Sequence, residues 1–253
     1  KIGQENKGID SIINRKIPDI FYVNRKNGEN VNYICDIIRR NSLKEFFEYI
    51  NEHGLSCFEQ IPTSIFETNS FLIEPISPIK KNNKANKKEN HINMIEYAVF
   101  FGSIKIVQYL QIYGVKLYPR LLLYAVHSHN AEMIRFLEEN IPDTKLNDVY
   151  IECFEESIRC HHNDFANYFQ SKLLIDKEEQ LKKSFFQGLE NYNFAFIQND
   201  LINLSSFYYV CLFDYYPIAD ILIKDKDVDI NAIFIKTLNT IQANCKILNS
   251  IDL

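Results

Sequence analysis

The chain predicts an all-α fold of helical hairpins stacked as a solenoid, and three observations predict it. Residues 93–117, NMIEYAVFFGSIKIVQYLQIYGVKL, read as helix, tight turn and second helix. The same pattern returns 27 residues further on. The whole chain holds only 7 glycines and 7 prolines in 253 residues, too few for a loop-rich or all-β fold.

In the reference hairpin, Ile95, Ala98 and Val99 stand three and four apart and so share one helical face. Gly102-Ser103 interrupts the pattern as a helix stop and a cap. Ile106, Val107, Tyr109 and Leu110 then form a second apolar set, which Gly114 closes. So short a turn makes the two helices antiparallel, and their common apolar face needs a cover. The copy provides it. Tyr97-Ala98-Val99 returns as Tyr124-Ala125-Val126, and Ile106-Val107 as Met133-Ile134. The outer doublet recurs at Phe165-Ala166, Ala195-Phe196 and Ile218-Ala219, and upstream at Phe46-Phe47, with successive offsets of 60, 27, 32, 30 and 23. Repetition on this scale marks a stack of hairpins, each burying its neighbour's face.

MIEYAVFFGSIKIVQYLQIYGVKL resembles a degenerate ankyrin repeat, as does FYYVCLFDYYPIADILIKDKDVDINA at 207–232. The string SIFETNSFLI at 64–73, ahead of IEYAVFFGS, is similar to an ankyrin-type domain family of unknown function that is expanded in some single-celled eukaryotes. The likeness covers about residues 31–232. It implies an ankyrin-like solenoid and a protein-binding role. The Thr-Pro-Leu-His opening of ordinary ankyrin repeats is missing, and Glu96 occupies the histidine position. The spacings fall short of the roughly 33 residues of a full repeat, so reduced or missing β-hairpin fingers are expected.

In chain order, residues 1–30 are expected to be a weakly ordered lead-in with a short helix near Ile9–Ile13. The chain opens without Met, as a fragment or processed product would. Residues 31–73 carry a first helical pair, then a short helix entered at Pro62 and running through Ile65 and Phe66. Residues 74–92, with KKNNKANKKEN at 80–90, form a charged linker loop. Repeats fill 93–232, with 181–204 the least regular stretch, and 233–253 supply a closing helix or the start of a truncated array.

The composition, 46% hydrophobic and 13% aromatic, suits a packed core. No apolar run is long enough to span a bilayer, so no membrane partner is expected. The six cysteines lack a disulfide spacing and sit mostly among apolar residues, as core thiols of a reducing compartment do. An intracellular, cytoplasmic location follows, with the nucleus as the alternative if the lysine loop acts as an import signal. A net charge of −5 argues against a nucleic-acid surface. Lys80, Lys81, Lys84, Lys87 and Lys88 are the one basic cluster that could provide one. Cys160, His161 and His162 are the candidates for thiol- or metal-dependent hydrolysis, but consecutive residues point in different directions and neither spacing is diagnostic. No cofactor, metal or small-molecule ligand is expected.

Aligning the copies puts Arg39, Phe100, His127, Arg159 and Leu212 in one column at the inner-helix ends. Arg40, Phe101, Ser128, Cys160 and Phe213 fill the next. Mixed arginine and aromatic residues in a groove suit a protein interface. Apart from Cys160, which belongs to the hydrolase alternative, these are the candidate partner-binding residues. The expected function is a non-enzymatic scaffold or adaptor for a protein partner.

Overall fold

The computed structural model describes residues 18–73, 92–142, 146–173, 177–197 and 207–224. These are mostly helical. No strand occurs among them, although an isolated antiparallel bridge joins Gln60 to Asn93. The chain divides into two compact units, residues 1–140 and 141–253, so the expected run of repeats at 93–232 is split near its first third.

Unit 1 begins with α1 (Asp19–Asn27), then the pair α2 (Tyr33–Arg39) and α3 (Leu43–Glu52), and the short α4 (Ser70–Ile73). The pairs α5 (Met94–Phe100) with α6 (Ile104–Ile112) and α7 (Leu121–Ser128) with α8 (Ala131–Asn140) follow. Within the unit, α2 packs on α5, α3 on α6 and α5 on α7. Unit 2 holds α9 (Asn147–Arg159) with α10 (Asn163–Lys172), α11 (Lys177–Glu190) with a 3-10 turn (Phe194–Phe196), and α12 (Phe207–Leu212) with α13 (Tyr216–Lys224). Here α9 packs on α11, and α11 on α12.

One local device makes every pair. The first helix ends on a residue in the left-handed conformation: Asn41, Gly102, His129, His161, Tyr192 or Asp214, with φ between 47° and 68°. Its N–H donates to the carbonyl three residues back, as in Gly102 to Val99 (3.0 Å) and His161 to Ile158 (3.1 Å). In five of the six turns, the following N–H reaches five back, as in Ser103 to Ala98 (2.8 Å) and Asn193 to Gly188 (2.8 Å). This is the Schellman arrangement, which satisfies carbonyls that a helix end would leave bare. Only Gly102 adopts it freely. Asn, Asp and His tolerate it, and Tyr192 does so against a steric penalty.

In the four pairs that have a predecessor in their own unit, the residue after the turn ties the pair to that predecessor. The Ser103 hydroxyl donates to the Ile38 carbonyl. Asn193 Nδ2 donates to the Ile158 carbonyl (3.0 Å), and the Tyr215 hydroxyl to the Leu189 carbonyl (3.1 Å). Ile38, Ile158 and Leu189 each stand three residues before a turn residue, so the three bonds share one geometry. Each carbonyl uses one lone pair within its own turn and the other toward the next pair. Asn130 Nδ2 reaches a different acceptor, the carbonyl of the preceding turn residue Gly102 itself (3.5 Å).

The core follows the same frame. Tyr97, Ala98, Val99, Tyr124, Ala125 and Val126 are all at most 1% exposed. On the second helices, Ile106, Val107 and Leu110 are matched by Met133, Ile134 and Leu137, and by Phe165, Ala166 and Phe169, all buried. α5 starts with a capping box in which the Asn93 N–H donates to Glu96 Oε2 (2.7 Å), while the Tyr118 hydroxyl donates to Glu96 Oε1.

Several expectations change. The lead-in contains α1, whose Ile20, Tyr22 and Val23 stay exposed; the helix expected near Ile9–Ile13 lies outside the described residues. No helix runs through Ile65 and Phe66. That loop is fixed instead by Asn30 Nδ2 donating to the Pro62 carbonyl (2.7 Å), which leaves Ile65 exposed. Of the Phe46-Phe47 doublet, only Phe46 is buried. The Ala195-Phe196 match moves by one, because Tyr192 is the turn residue: Phe196 is buried and Ile197 partly so. The linker at 74–91 and the segment 233–253 lie outside the described residues.

Candidate functional site

All nine proposed partner-binding residues fall on the two positions before a left-handed turn residue, as the aligned columns require. Their surroundings sort them into two kinds.

In unit 1, Arg39 is committed inside the fold. One guanidinium nitrogen donates to the Asn30 carbonyl (2.8 Å) and the Tyr97 hydroxyl (2.7 Å), and Nε pairs with Glu29 at 3.3 Å. The side chain is 16% exposed and lies 5.9 Å from the Phe101 ring centre. Phe100 is buried and stacks on His127, with ring centres 4.8 Å apart and planes at 20°. Arg39 and Phe100 therefore hold neighbouring pairs together, which withdraws them from any partner-facing surface. Phe101 is half-buried against Tyr97. Ser128 Oγ donates to the Ala125 carbonyl (2.7 Å) and accepts from the Asn130 N–H (3.2 Å). Arg40 is exposed, with Nε on Asp36 (2.9 Å) and both terminal nitrogens on Glu45 (2.8 Å each). This fork, with the Ser42 hydroxyl, holds the Glu45 carboxyl down to about 2. What unit 1 offers outward is the position just before each turn: Arg40, Phe101 and Ser128.

In unit 2, Arg159 is exposed and pairs with buried Glu156 at 3.0 Å. Leu212 is exposed, while Phe213 packs against a cluster of Phe185, Leu189, Val210 and Tyr215. The same frame adds Glu190 and Asn191, which the sequence columns missed; Glu190 is exposed and Asn191 Nδ2 donates to the Gln187 carbonyl (2.9 Å). The signal that locates them is Asn193, which follows its turn residue as Asn130 follows His129.

The Cys160, His161 and His162 group is occupied with making a turn. His161 is the left-handed residue and His162 the N-cap of α10. Cys160 Sγ lies 3.6 Å from Glu156 Oε1, and burial together with that carboxylate pushes the thiol up to about 12. A nucleophilic cysteine needs the opposite, a cationic neighbour that favours thiolate. Cys35 and Cys153 are buried, as expected of core thiols, but Cys211 is exposed. The Cys35 thiol is likewise pushed up to about 12, mainly by burial.

The open recess of about 310 Å³ between α1 and α2 is lined by Glu29, Tyr33, Asp36 and Arg39, among others, and its charged groups are already paired to one another or to the backbone. The lysines at 80–88 lie outside the described residues. No helix among the described residues is long and apolar enough to cross a membrane. The chain matches no protein-family model, no curated protein and no solved structure.

Proposed function

We propose that the chain is a divergent ankyrin-type hairpin solenoid that binds a protein partner through the side chains preceding its turns and performs no catalysis. One observation carries this reading. The turn geometry is constant, while the residue before each turn residue changes freely: Arg40, Phe101, Ser128, Cys160, Asn191, Phe213. All six are exposed or half-buried. A fixed frame displaying variable side chains is how repeat proteins build recognition surfaces. Arginine and aromatic residues in such positions suit hot spots. The buried free thiols suit a reducing compartment. The lack of Thr-Pro-Leu-His and the absence of strands among the described residues fit a member with trimmed fingers.

The test is affinity capture with the parent protein and with a variant carrying Arg40→Glu, Phe101→Ala and Phe213→Ala, its fold first verified by circular dichroism. A specific protein captured by the parent and lost by the variant supports the reading. A specific protein captured equally by both refutes this surface. Arg39→Glu is unsuitable because that residue holds α2 to α5.

A further inference from the structure

A recess of about 70 Å³ lies in unit 1 between the 61–67 loop, α4 and α5. One water needs about 10–15 Å³ of such space, so the recess has room for a small ligand. Ile61, Leu72, Ile73 and Ile92 make its wall apolar, and Ser64, Glu67 and Tyr97 add polar groups. Among the described residues, Glu67 is the one charged side chain in the lining. Its Oε1 accepts the N–H groups of Thr68 (3.1 Å) and Asn69 (3.2 Å), whereas Oε2 is shielded from solvent and meets no donor. Arg39, the nearby guanidinium, turns instead to Glu29 and Asp36. The Glu67 carboxylate is close enough to Tyr97, across the recess lining, to oppose ionisation of its hydroxyl. A shielded carboxylate oxygen without a donor is costly and rare in a folded protein, and here it stands at an unfilled space.

The chemistry of that oxygen selects the ligand. A guanidinium gains its advantage from a bidentate pair, and Oε1 is already engaged. A quaternary ammonium has no N–H to donate, and Tyr97 is the one ring in the lining to face its charge. A divalent metal needs several oxygen ligands where the lining supplies a single carboxylate. A primary ammonium carries three donors on a compact head, and an alkyl stem behind it suits the isoleucine and leucine wall. We propose that the recess binds a protonated primary amine on an unbranched alkyl stem, the chemistry shared by a lysine side chain and a free diamine. The ammonium donates to Glu67 Oε2, and the methylenes lie against Ile61, Leu72, Ile73 and Ile92. Pro62, Thr63 and Ile65 are exposed on the same loop, which can yield the small distance that this contact requires. Glu67 belongs to neither column of residues preceding the turns, so the proposal is independent of the partner-binding reading.

The test is NMR of the full chain labelled at its isoleucine methyls and titrated with n-butylammonium chloride, against sodium chloride at matched ionic strength. Saturable shifts at Ile61, Ile73 and Ile92 are expected. The neutral 1-butanol and the donor-free n-butyltrimethylammonium should each bind at least about tenfold more weakly, as the loss of a charge-assisted hydrogen bond requires. Glu67→Gln keeps an oxygen for the Thr68 and Asn69 N–H groups, removes the charge, and should weaken butylammonium binding by a similar factor. The two ligand comparisons use the parent protein alone, so they decide the matter even where the variant is unstable. Two further arms distinguish the sources. Tighter binding of Nα-acetyl-lysine methylamide than of putrescine supports the proposal with a lysine side chain as ligand, and the reverse order supports it with a free diamine. The absence of saturable shifts at these three methyls overturns the proposal. Equal affinity for butylammonium and butanol, or binding undiminished in a folded Glu67→Gln variant, also overturns it.

Discussion

Asn193 offers the sharpest test of how one hairpin is fastened to the next. It is 2% exposed, and its Nδ2 donates to the Ile158 carbonyl (3.0 Å) and to Asn163 Oδ1 (2.7 Å). Asn193→Ala removes both bonds. The Ile158 carbonyl keeps the His161 N–H at 3.1 Å, and half-buried Asn163 can turn to water, so neither acceptor is left bare. The loss is then that of two ordinary hydrogen bonds, about 2 kcal/mol in total. In a cooperative unit of roughly a hundred residues, this lowers the melting temperature by roughly 8 °C. Asn193→Asp keeps the shape but replaces the donor with a carboxylate facing the Ile158 carbonyl. Desolvation and lone-pair repulsion make it worse than Ala. The predicted order of stability, read from urea unfolding, is Asn above Ala above Asp. An Asp variant as stable as the parent, or an Ala variant within about 0.5 kcal/mol of it, the range of an ordinary surface substitution, refutes the fastening role.

Other predictions follow from the same frame. Ala125→Glu places a charge at a site with no exposure, on the helix that packs against α5 and α8, and should abolish cooperative unfolding or the soluble fold; a variant with the parent's circular dichroism melt contradicts the packing. Gly54→Ala, at φ 61° with nothing within 4 Å of the new Cβ, should cost about 1 kcal/mol from backbone strain alone. Gly102→Ala should cost more, because its Cβ would stand 3.3 Å from Ser128 Cβ; urea midpoints in the reverse order contradict the turn geometry. The buried Glu96 carboxyl has its pKa raised, chiefly by desolvation and against the bond from Asn93. Its contribution is fully present below the ordinary value of 4.5 and is lost as pH rises through the raised folded value. Glu96→Gln should therefore flatten the fall in stability that begins near 4.5 and ends at the raised folded value, and an unchanged pH slope refutes the assignment. Glu45, held down to about 2 by Arg40, acts in the opposite sense. Its contribution is present above 4.5 and is lost as pH falls toward 2, but solvent screening keeps it small.

The 27-residue copy was legible because both signals coincided there: a glycine at the first turn and the same apolar set in all four helices. The turn itself was not legible elsewhere. Its left-handed residue is Asn, Gly, His, His, Tyr or Asp, so the glycine signal marks one turn in six. Around Tyr192 the second helix shrinks to a single 3-10 turn, which leaves too short an apolar pattern to fix the register and explains the one-residue shift at Phe196. α1 gave no periodic signal because its apolar residues do not face a core. The columns at the inner-helix ends fall on the two positions before a turn residue, but their burial was not readable. Arginine reads as a surface residue from its local sequence. Arg39 is half-buried because Asn30 and Tyr97, the latter 58 residues away, supply acceptors that only the folded chain brings together. The same distance in sequence hid the role of Ser103, which looks like a simple helix cap and instead bonds the Ile38 carbonyl.

The repeated left-handed turn is the claim on which the rest depends, and backbone coupling constants measured by NMR on the full chain test it directly. Five non-glycine residues, Asn41, His129, His161, Tyr192 and Asp214, are predicted to have positive φ, each two residues before the first residue of the second element of its pair. Positive φ at all five, His161 and Tyr192 included, is the result that the frame requires. Negative φ at His161 or Tyr192 would contradict it, and with it both the placement of Cys160 in a turn and the register of unit 2.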